Sequence, residues 1–390
     1  MKLEDVRKQI DLVDDEIAWL FNKRMNLVDQ VVKAKKTEGK AVNDKEREKN
    51  IILRVCDKVD EDKALYLKRV FETLFEVSKS YQSLNITTNS KISEKISSAL
   101  EKGFLKLPAK TTVACQGVQG AYSGIATERF FPLPSINYFK TFDGVFGAVE
   151  KGLCKYGVLP IENSYAGSVN QVYDLMKEHK FYIVKSLRLP ISHNLVVNKE
   201  TELKDIKEIF SHEQAIAQCR KYLAKFPLVK VTAVPNTATA SKMVAESGRK
   251  DVAAICSREC ASLYDLKLLD TNIQDTNNNY TRFILITKEM EFYENANKIS
   301  IMTTLPQNSA GSLNKLLSKF SNLGLNLTKL ESRPIVNSSF EFMFYFDFEC
   351  DINEKGVQNL LAELDNSTEQ FTFWVLIAKV FRVWKRNIVL

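Results

Sequence analysis

MKLEDVRKQIDLVDDEIAWLFNKRMNLVDQVVKAK (residues 1–35) places an apolar side chain at Leu3, Val6, Ile10, Val13, Ile17, Leu20, Leu27 and Val31. That spacing is the period of one long amphipathic helix. Into the stripe it admits three cations, Arg7, Arg24 and Lys35. A face bound for a core excludes charge unless something anionic joins it. Arg24 and Lys35 are eleven residues apart, which puts them about 20° from the same face and roughly 16 Å along the axis, so both can reach one small ligand. Arg7 lies about 25 Å from Arg24 on that axis, so it can join them only from the antiparallel helix of a second subunit. A helix of about 50 Å is also too long for a compact monomeric domain.

Asn43 followed by Glu46 reads as a capping-box-like start to a second helix, with Asp44, Arg47 and Glu48 just ahead of Ile51, Val55 and Val59. A third helix, from Lys63 to Leu84, carries Leu67, Phe71 and Leu74 on a face that Ser78 and Gln82 continue. Any one of these polar residues reads equally well as part of a solvated face with snorkelling side chains. Eight in register do not.

With these residues in hand, the segment resembles the all-helical chorismate mutases fused to prephenate dehydratase. The pattern is Arg7, Arg24, Lys35, Asp44, Arg47, Glu48, Ser78 and Gln82. The resemblance implies an intertwined three-helix dimer with two sites, each borrowing Arg7 from the other subunit. The chemistry suits the residues, because a pericyclic rearrangement of a dicarboxylate needs confinement and charge stabilisation, not a nucleophile, metal or cofactor. Arg7, Arg24 and Arg47 would bind carboxylates, Lys35 and Gln82 would donate to the ether oxygen, and Glu48 would hold the substrate hydroxyl, with Asp44 and Ser78 completing the site.

At 390 residues and 45% hydrophobic content the chain can hold two or three domains. Seven cysteines form no CxxC pair and only three histidines occur, so no disulfide framework or zinc site is expected, and the reducing cytoplasm is the expected compartment. The opening MKLEDVRKQ has no apolar run, so no secretory signal is expected. Residues 1–88 form the helical domain. Residues 89–110 read as a polar linker with a short helix from Ser90 to Lys102.

From residue 111 to 288 the pattern becomes α/β, with TTVAC, YGVLPI, FYIVKSLRL, HNLVVN, EIFS, KVTAV, VAAIC and TRFILIT as strands. Four junctions look like ligand edges. QGVQGAYS (116–123) is a Gly-bearing turn into a helix, lacking the ending of a nucleotide phosphate loop. PIENSYAGSV (160–169) offers Glu162, Asn163 and Ser164. SHEQAIAQC (211–219) offers Ser211, which would cap the helix it opens, and Gln218. NNNYTRF sets Thr281 and Arg282 at a strand mouth. Each has a plain reading: Ser211 as an N-cap, Thr281 as a strand former, Glu162 as a loop carboxylate, His212 as a loop histidine.

Taken in order, with the Thr239 region of NTATAS and IQD (273–275), these segments resemble prephenate dehydratase over about 175 residues. The resemblance implies two α/β lobes flanking a cleft, as in type II periplasmic binding proteins, and decarboxylation of prephenate with loss of the ring hydroxyl. Thr281 would supply the proton, with Asn163, Ser211 and Gln218 positioning the substrate.

Residues 297–378 read as βαββα in need of a closing strand. AGSLNKLLSKF and GLNLTKLESRP carry a resemblance to the ACT regulatory domain of this family, a βαββαβ fold. Effector binding of L-phenylalanine at Gly311, Ser312, Leu313, Glu331, Ser332, Arg333 and Pro334 is implied. Ser312 stands where the family has Ala, which would retune the pocket.

The family usually ends in Leu-Gly-Ser-Tyr, whereas here QFTF runs into the atypical end 374–390, WVLIAKVFRVWKRNIVL. Shifted back one nucleotide, the codons of Phe373 to Val375 must read Leu then Gly, with Ser and Tyr permitted next if Leu376 is CTN. A one-nucleotide frame slip near Phe373 is therefore expected, and a gene with Leu376 as TTA or TTG excludes it. The rival is an amphipathic membrane-surface tail, too short and charged to span a bilayer. Its four cations account for more than half of the net charge of +7, so no nucleic-acid partner is inferred.

The sequence thus reads as a bifunctional enzyme taking chorismate through prephenate to phenylpyruvate, a homodimer or higher homo-oligomer regulated by L-phenylalanine. The alternative is a mutase fused to a non-catalytic sensor module that binds an aromatic metabolite.

Overall fold

A computed structural model describes residues 2–38, 44–85, 89–305, 309–335 and 341–379, with the side chains of 35–38, 45, 83–85 and 375–379 excepted. Asn43, the side chain of Lys35 and residues 380–390 of the atypical end lie outside the described residues. The chain divides into two compact units, Met1–Ser98 with Ile299–Phe373, and Ala99–Lys298 with the chain from Trp374. Among the described residues no helix is long and apolar enough to cross a membrane.

In the first unit, α1 (Leu3–Glu38) is one unbroken helix of 36 residues, about 54 Å long at the α-helical rise. Its sequence stripe is not its buried face. Val28 and Val32 are buried, at 7% and 5% exposure, while Leu3, Ile10, Val13, Ile17, Leu20, Leu27 and Val31 are all more than 40% exposed. α1 meets α3 (Glu61–Asn85) through Arg24 and Met25, both of which contact Ser78, and most of the predicted stripe stays uncovered within one chain. Between them in sequence, α2 (Lys45–Cys56) is capped by Asp44, whose carboxylate accepts the Arg47 amide at 3.0 Å. The cap is therefore Asp44 rather than Asn43. The expected linker helix is α4 (Lys91–Glu101).

In the second unit the β-rich runs build two sheets. Lobe one begins with β1 (Lys110–Gln116), α5 (Tyr122–Phe130), β2 (Leu133–Phe139), α6 (Phe142–Glu150), β3 (Tyr156–Asn163), the short β4 (Gly167–Ser168), α7 (Asn170–His179) and β5 (Tyr182–Pro190). Lobe two follows with β6 (Asn194–Val197), β7 (Glu208–Ser211), α8 (Glu213–Gln218), α9 (Arg220–Leu223), β8 (Lys230–Ala233), α10 (Thr237–Ser247), β9 (Val252–Cys256), α11 (Arg258–Leu263) and β10 (Lys267–Asp270). The chain then returns to lobe one as β11 (Tyr280–Thr287). Lobe one runs β2-β1-β3-β11-β5 and lobe two β10-β6-β9-β7-β8. Sequence periodicity did not mark β2, β4 or β10. The first is an edge strand with Pro134 inside it, which an edge tolerates because one row of its backbone groups makes no ladder.

The lobes are joined by two crossovers, Ile191–His193 leaving lobe one and 271–279 returning to it. They are tied to each other: the Ile191 amide donates to the Asn279 carbonyl at 2.8 Å and the Ile273 amide to the His193 carbonyl at 2.9 Å.

The remaining elements are β12 (Ala296–Thr303), α12 (Ser312–Asn322), β13 (Asn326–Pro334), β14 (Phe342–Glu349), α13 (Lys355–Ser367) and β15 (Phe371–Lys379). This is βαββαβ, with strand order β13-β14-β12-β15. The aromatic run is sheet core, since Phe344, Tyr345, Phe346 and Phe348 are all buried and Phe320 of α12 stacks on Phe346 at 5.3 Å. The closing strand does form, and it extends past Phe373 into the atypical end.

Candidate functional site

Two groups of polar side chains stand where apolar ones would pack. In the helical unit, Arg24 of α1 donates to the Ser78 hydroxyl of α3, and that hydroxyl donates to the Leu74 carbonyl at 2.6 Å. Burial lowers the Arg24 guanidinium from its ordinary value, yet guanidinium titrates so high that it stays charged. One turn further on, Gln82 is 8% exposed and its Oε1 has no partner among the described residues. A buried amide with unspent capacity costs about 1–3 kcal/mol unless a ligand completes it. Arg24, Ser78 and Gln82 thus share one seam.

Glu48 of α2 lies across α3, where Lys79 holds it at 3.0 Å and also pairs with Glu76 at 3.0 Å. Burial alone would lower Lys79, but its hydrogen bonds and charge contacts with Glu76 and Glu48 outweigh that and raise it. Sequence reasoning passed over Lys79, whose spacing resembles any surface i,i+3 pair. Asp44 and Arg47 sit at the exposed start of α2. Arg7 is exposed, and the rise of α1 sets it about 25 Å from Arg24. Lys35 belongs to the last turn of α1.

In the second unit a cleft of about 540 Å³ lies between the lobes, lined among others by Tyr122, Asn163, His193, Gln218, Thr237 and Thr281. Asn163 ends β3 beside Thr281 of β11, its direct partner in the ladder. Its Oδ1 accepts the backbone amides of Tyr165 and Ala166 at 3.0 and 2.9 Å. The amide orientation follows, because a backbone N–H can only donate. Its Nδ2 therefore donates to Thr281 Oγ1 at 2.9 Å and Asn279 Oδ1 at 3.0 Å. Thr281 Oγ1 is thereby an acceptor, and its own hydrogen is left for another partner.

Gln218, at the end of α8, takes part through Oε1, which lies 2.8 Å from Asn279 Nδ2 and 2.8 Å from His193 Nε2. Asn163, Gln218 and Thr281 come together as the sequence predicted. Ser211 does not reach the cleft: it is fully buried, and its hydroxyl donates to the Ile255 carbonyl at 2.8 Å. Nor does it cap α8, since the N-cap is His212, whose Nδ1 accepts the Gln214 amide at 3.2 Å. The plain reading of Ser211 as a cap is therefore corrected, and His212 rather than Ser211 faces the cleft.

The QGVQGAYS turn delivers Tyr122 and Ser123 to the cleft wall. Gly120 in it has φ +88°, and a Cβ there would stand 3.0 Å from both Cys260 Sγ and Leu263 Cδ2. Only glycine takes that conformation at that distance. Asn236 caps α10 by accepting the Thr239 amide at 2.7 Å, which is the part Thr239 plays. In the βαββαβ segment Gly311 caps α12 with φ +83°, ahead of Ser312 and Leu313. Glu331, Ser332, Arg333 and Pro334 are the last residues of β13, opposite Tyr345 to Phe342.

Residues 113–291 match the family model of prephenate dehydratase, and residues 6–83 match that of chorismate mutase type II. A helical cation site and a two-lobed cleft on one chain thus define an enzyme with two catalytic domains. The chain is 31% identical over 373 residues to the bifunctional chorismate mutase/prephenate dehydratase of Enterobacter agglomerans, covering 93% of this chain and 92% of that one. Arogenate dehydratase 2 of Petunia hybrida is 37% identical over 272 residues, 66% of this chain and 68% of that one. The prephenate dehydratase of Arthrobacter aurescens, solved in complex with L-Phe, superposes with a TM-score of 0.63 at 27% identity, covering 68% of this chain and 89% of that one. The chain belongs to the family of bifunctional chorismate mutase/prephenate dehydratases.

Proposed function

We propose that the chain rearranges chorismate to prephenate in its helical unit and converts prephenate to phenylpyruvate in the cleft, under control of L-phenylalanine. The observation that carries the second step is the polarity of the cleft network. Asn163 Nδ2 donates to one lone pair of Thr281 Oγ1 at 2.9 Å, so that contact does not use the hydroxyl hydrogen, which is left to be donated. In the reaction, the C–CO2 bond breaks, its electrons enter the ring as it becomes aromatic, and the C–O bond to the ring hydroxyl breaks. The departing oxygen needs a proton, and Thr281 is assigned to deliver it. Gln218 and Asn163 hold the substrate, and the N-terminus of the 11-residue α10 faces its negative charge. Ser211, lodged behind the cleft, would act by supporting β7.

For the first step, Arg24 and Arg47 are assigned to the carboxylates, Lys35 and Gln82 to the ether oxygen, Glu48 to the hydroxyl, and Asp44 and Ser78 to support of these groups. Arg7 is assigned to the site of a second subunit. That assignment gains support from the uncovered apolar stripe of α1, which a second copy would bury.

The division is proposed as 1–88 mutase, 89–110 linker, 111–288 dehydratase and 297–378 ACT domain, with 374–390 the altered end. The βαββαβ topology and the L-Phe complex of the Arthrobacter relative support the regulatory reading. L-phenylalanine would bind through Gly311, Ser312 and Leu313 at α12 and Glu331 to Pro334 in β13. A reducing cytoplasmic setting fits the seven free thiols.

The experiment supplies prephenate and, in parallel, arogenate to the purified chain and follows the aromatic product, with and without L-phenylalanine. Turnover of prephenate that L-phenylalanine slows is the expected result. Tight binding of either ring acid without turnover would instead make the cleft a sensor.

A further inference from the structure

We propose that His193 is a positioning residue of the dehydratase cleft: as the Nε2–H tautomer it fixes the Gln218 carboxamide so that its amino group, not its oxygen, is presented to substrate. The inference rests on the reading of Gln218 as a substrate-holding group. It follows from a chain of hydrogen bonds whose direction is set at one end by backbone amides. The Tyr165 and Ala166 amides must donate, so Asn163 offers Oδ1 to them and Nδ2 to Asn279 Oδ1. Asn279 is then oriented with Nδ2 outward, and that group donates to Gln218 Oε1 at 2.8 Å. With Gln218 Oε1 so defined as an acceptor, the His193 nitrogen 2.8 Å from it must carry a proton. Both lone pairs of Gln218 Oε1 are now spent, and the carboxamide has only N–H left to give.

The imidazole is built for this task rather than caught in it. It is 2% exposed. Its backbone is pinned in the crossover by Gln274 Oε1, which accepts the His193 amide at 2.9 Å, and by the Ile273 amide on its carbonyl at 2.9 Å. Nδ1 is buried and has no partner among the described residues. Burial lowers the imidazole below its ordinary value, which keeps it neutral near pH 7 and leaves the single ring proton on Nε2. A flipped Gln218 would set its amino group against two donors, so the network holds one orientation.

Two substitutions separate the ring nitrogens. His193→Gln keeps a donor near Nε2, whereas His193→Asn keeps an amide only near Nδ1. We expect His193→Asn to lower kcat/KM for prephenate about tenfold to hundredfold, the worth of one buried hydrogen bond at the reacting site. His193→Gln should return it to within about threefold, and in a Gln218→Ala background His193→Asn should cost less than about twofold. Conversion of chorismate to prephenate should not change. Equal losses in His193→Gln and His193→Asn would overturn the proposal and point to packing of the ring, a loss in His193→Gln alone would overturn it and point to Nδ1, and losses that multiply with Gln218→Ala would overturn it as well. Loss in Gln218→Ala with none in His193→Asn would overturn the proposal alone, whereas full activity of Gln218→Ala would overturn the assignment of Gln218 as well. If His193→Asn fails to fold, Asn279→Asp replaces the second donor to Gln218 Oε1 with an acceptor and should give the same loss. Full activity there overturns the proposal.

Discussion

Thr281→Ala is expected to remove phenylpyruvate formation while leaving chorismate consumption and prephenate formation intact. The size follows from the role: a positioned proton donor contributes about 10²- to 10⁴-fold, and alanine also deprives Asn163 Nδ2 of an acceptor at 2.9 Å. Thr281→Ser separates the two effects, because it keeps the hydroxyl and loses only a methyl, so it should retain much of the rate. Steady-state assays on prephenate and on chorismate check both variants. Equal loss of the two activities in Thr281→Ala would contradict the assignment, since the mutase residues lie in a different unit of the chain.

Arg24→Ala is expected to silence the mutase, and Arg7→Ala to do the same for a different reason. Arg24 sits at the α1–α3 seam on Ser78, and an unpaired substrate carboxylate facing the remaining groups costs about 2–5 kcal/mol. Arg7 lies about 25 Å away along its own helix and contributes only if a second α1 runs antiparallel. Mixing the two inactive chains should then restore activity, because one site of each mixed dimer is free of both substitutions. Random exchange allows recovery of up to about a quarter of the native sites. No recovery after verified subunit exchange would count against a shared site.

The sequence made the architecture legible where periodicity is strong. Three helices, the strands of both lobes apart from β2, β4 and β10, and the βαββα order follow from apolar spacing, because burial on one face leaves a repeating trace; the closing strand was expected from the fold the resemblance implies. Where burial is decided by a partner, that trace misleads. The stripe Leu3 to Val31 repeats at helical spacing over eight positions, yet within one subunit Val28 and Val32 are the buried positions. Edge strand β2 escaped because it alternates weakly and holds Pro134. Caps were off by one residue at Asp44 and His212, where a neighbouring cap-competent residue competes for the same short segment.

The cleft was legible as motifs and not as a network. Asn163, Gln218 and Thr281 stand in distinctive runs, and the fold does gather them. Asn279 lies in the quoted NNNYTRF run and His193 opens HNLVVN, but each has polar neighbours, and nothing local marks which of them turns toward the cleft. Asn279 meets Asn163 from 116 residues away, and His193 meets Gln218 from 25. Their roles come from where the chain leaves and re-enters a lobe, a property of topology that no window of sequence contains. Ser211 shows the converse, since a motif residue at a strand end can be turned inward by the pleat, where it serves β9 instead of a ligand.

The central claim is that one chain carries both reactions in sequence. Purified protein mixed with chorismate, with chorismate, prephenate and phenylpyruvate followed together by absorbance and chromatography, tests it most directly. The account predicts that chorismate falls, prephenate passes through a maximum, and phenylpyruvate accumulates to match the chorismate consumed. Chorismate consumption that stops at prephenate, with added prephenate also left unchanged, would contradict it.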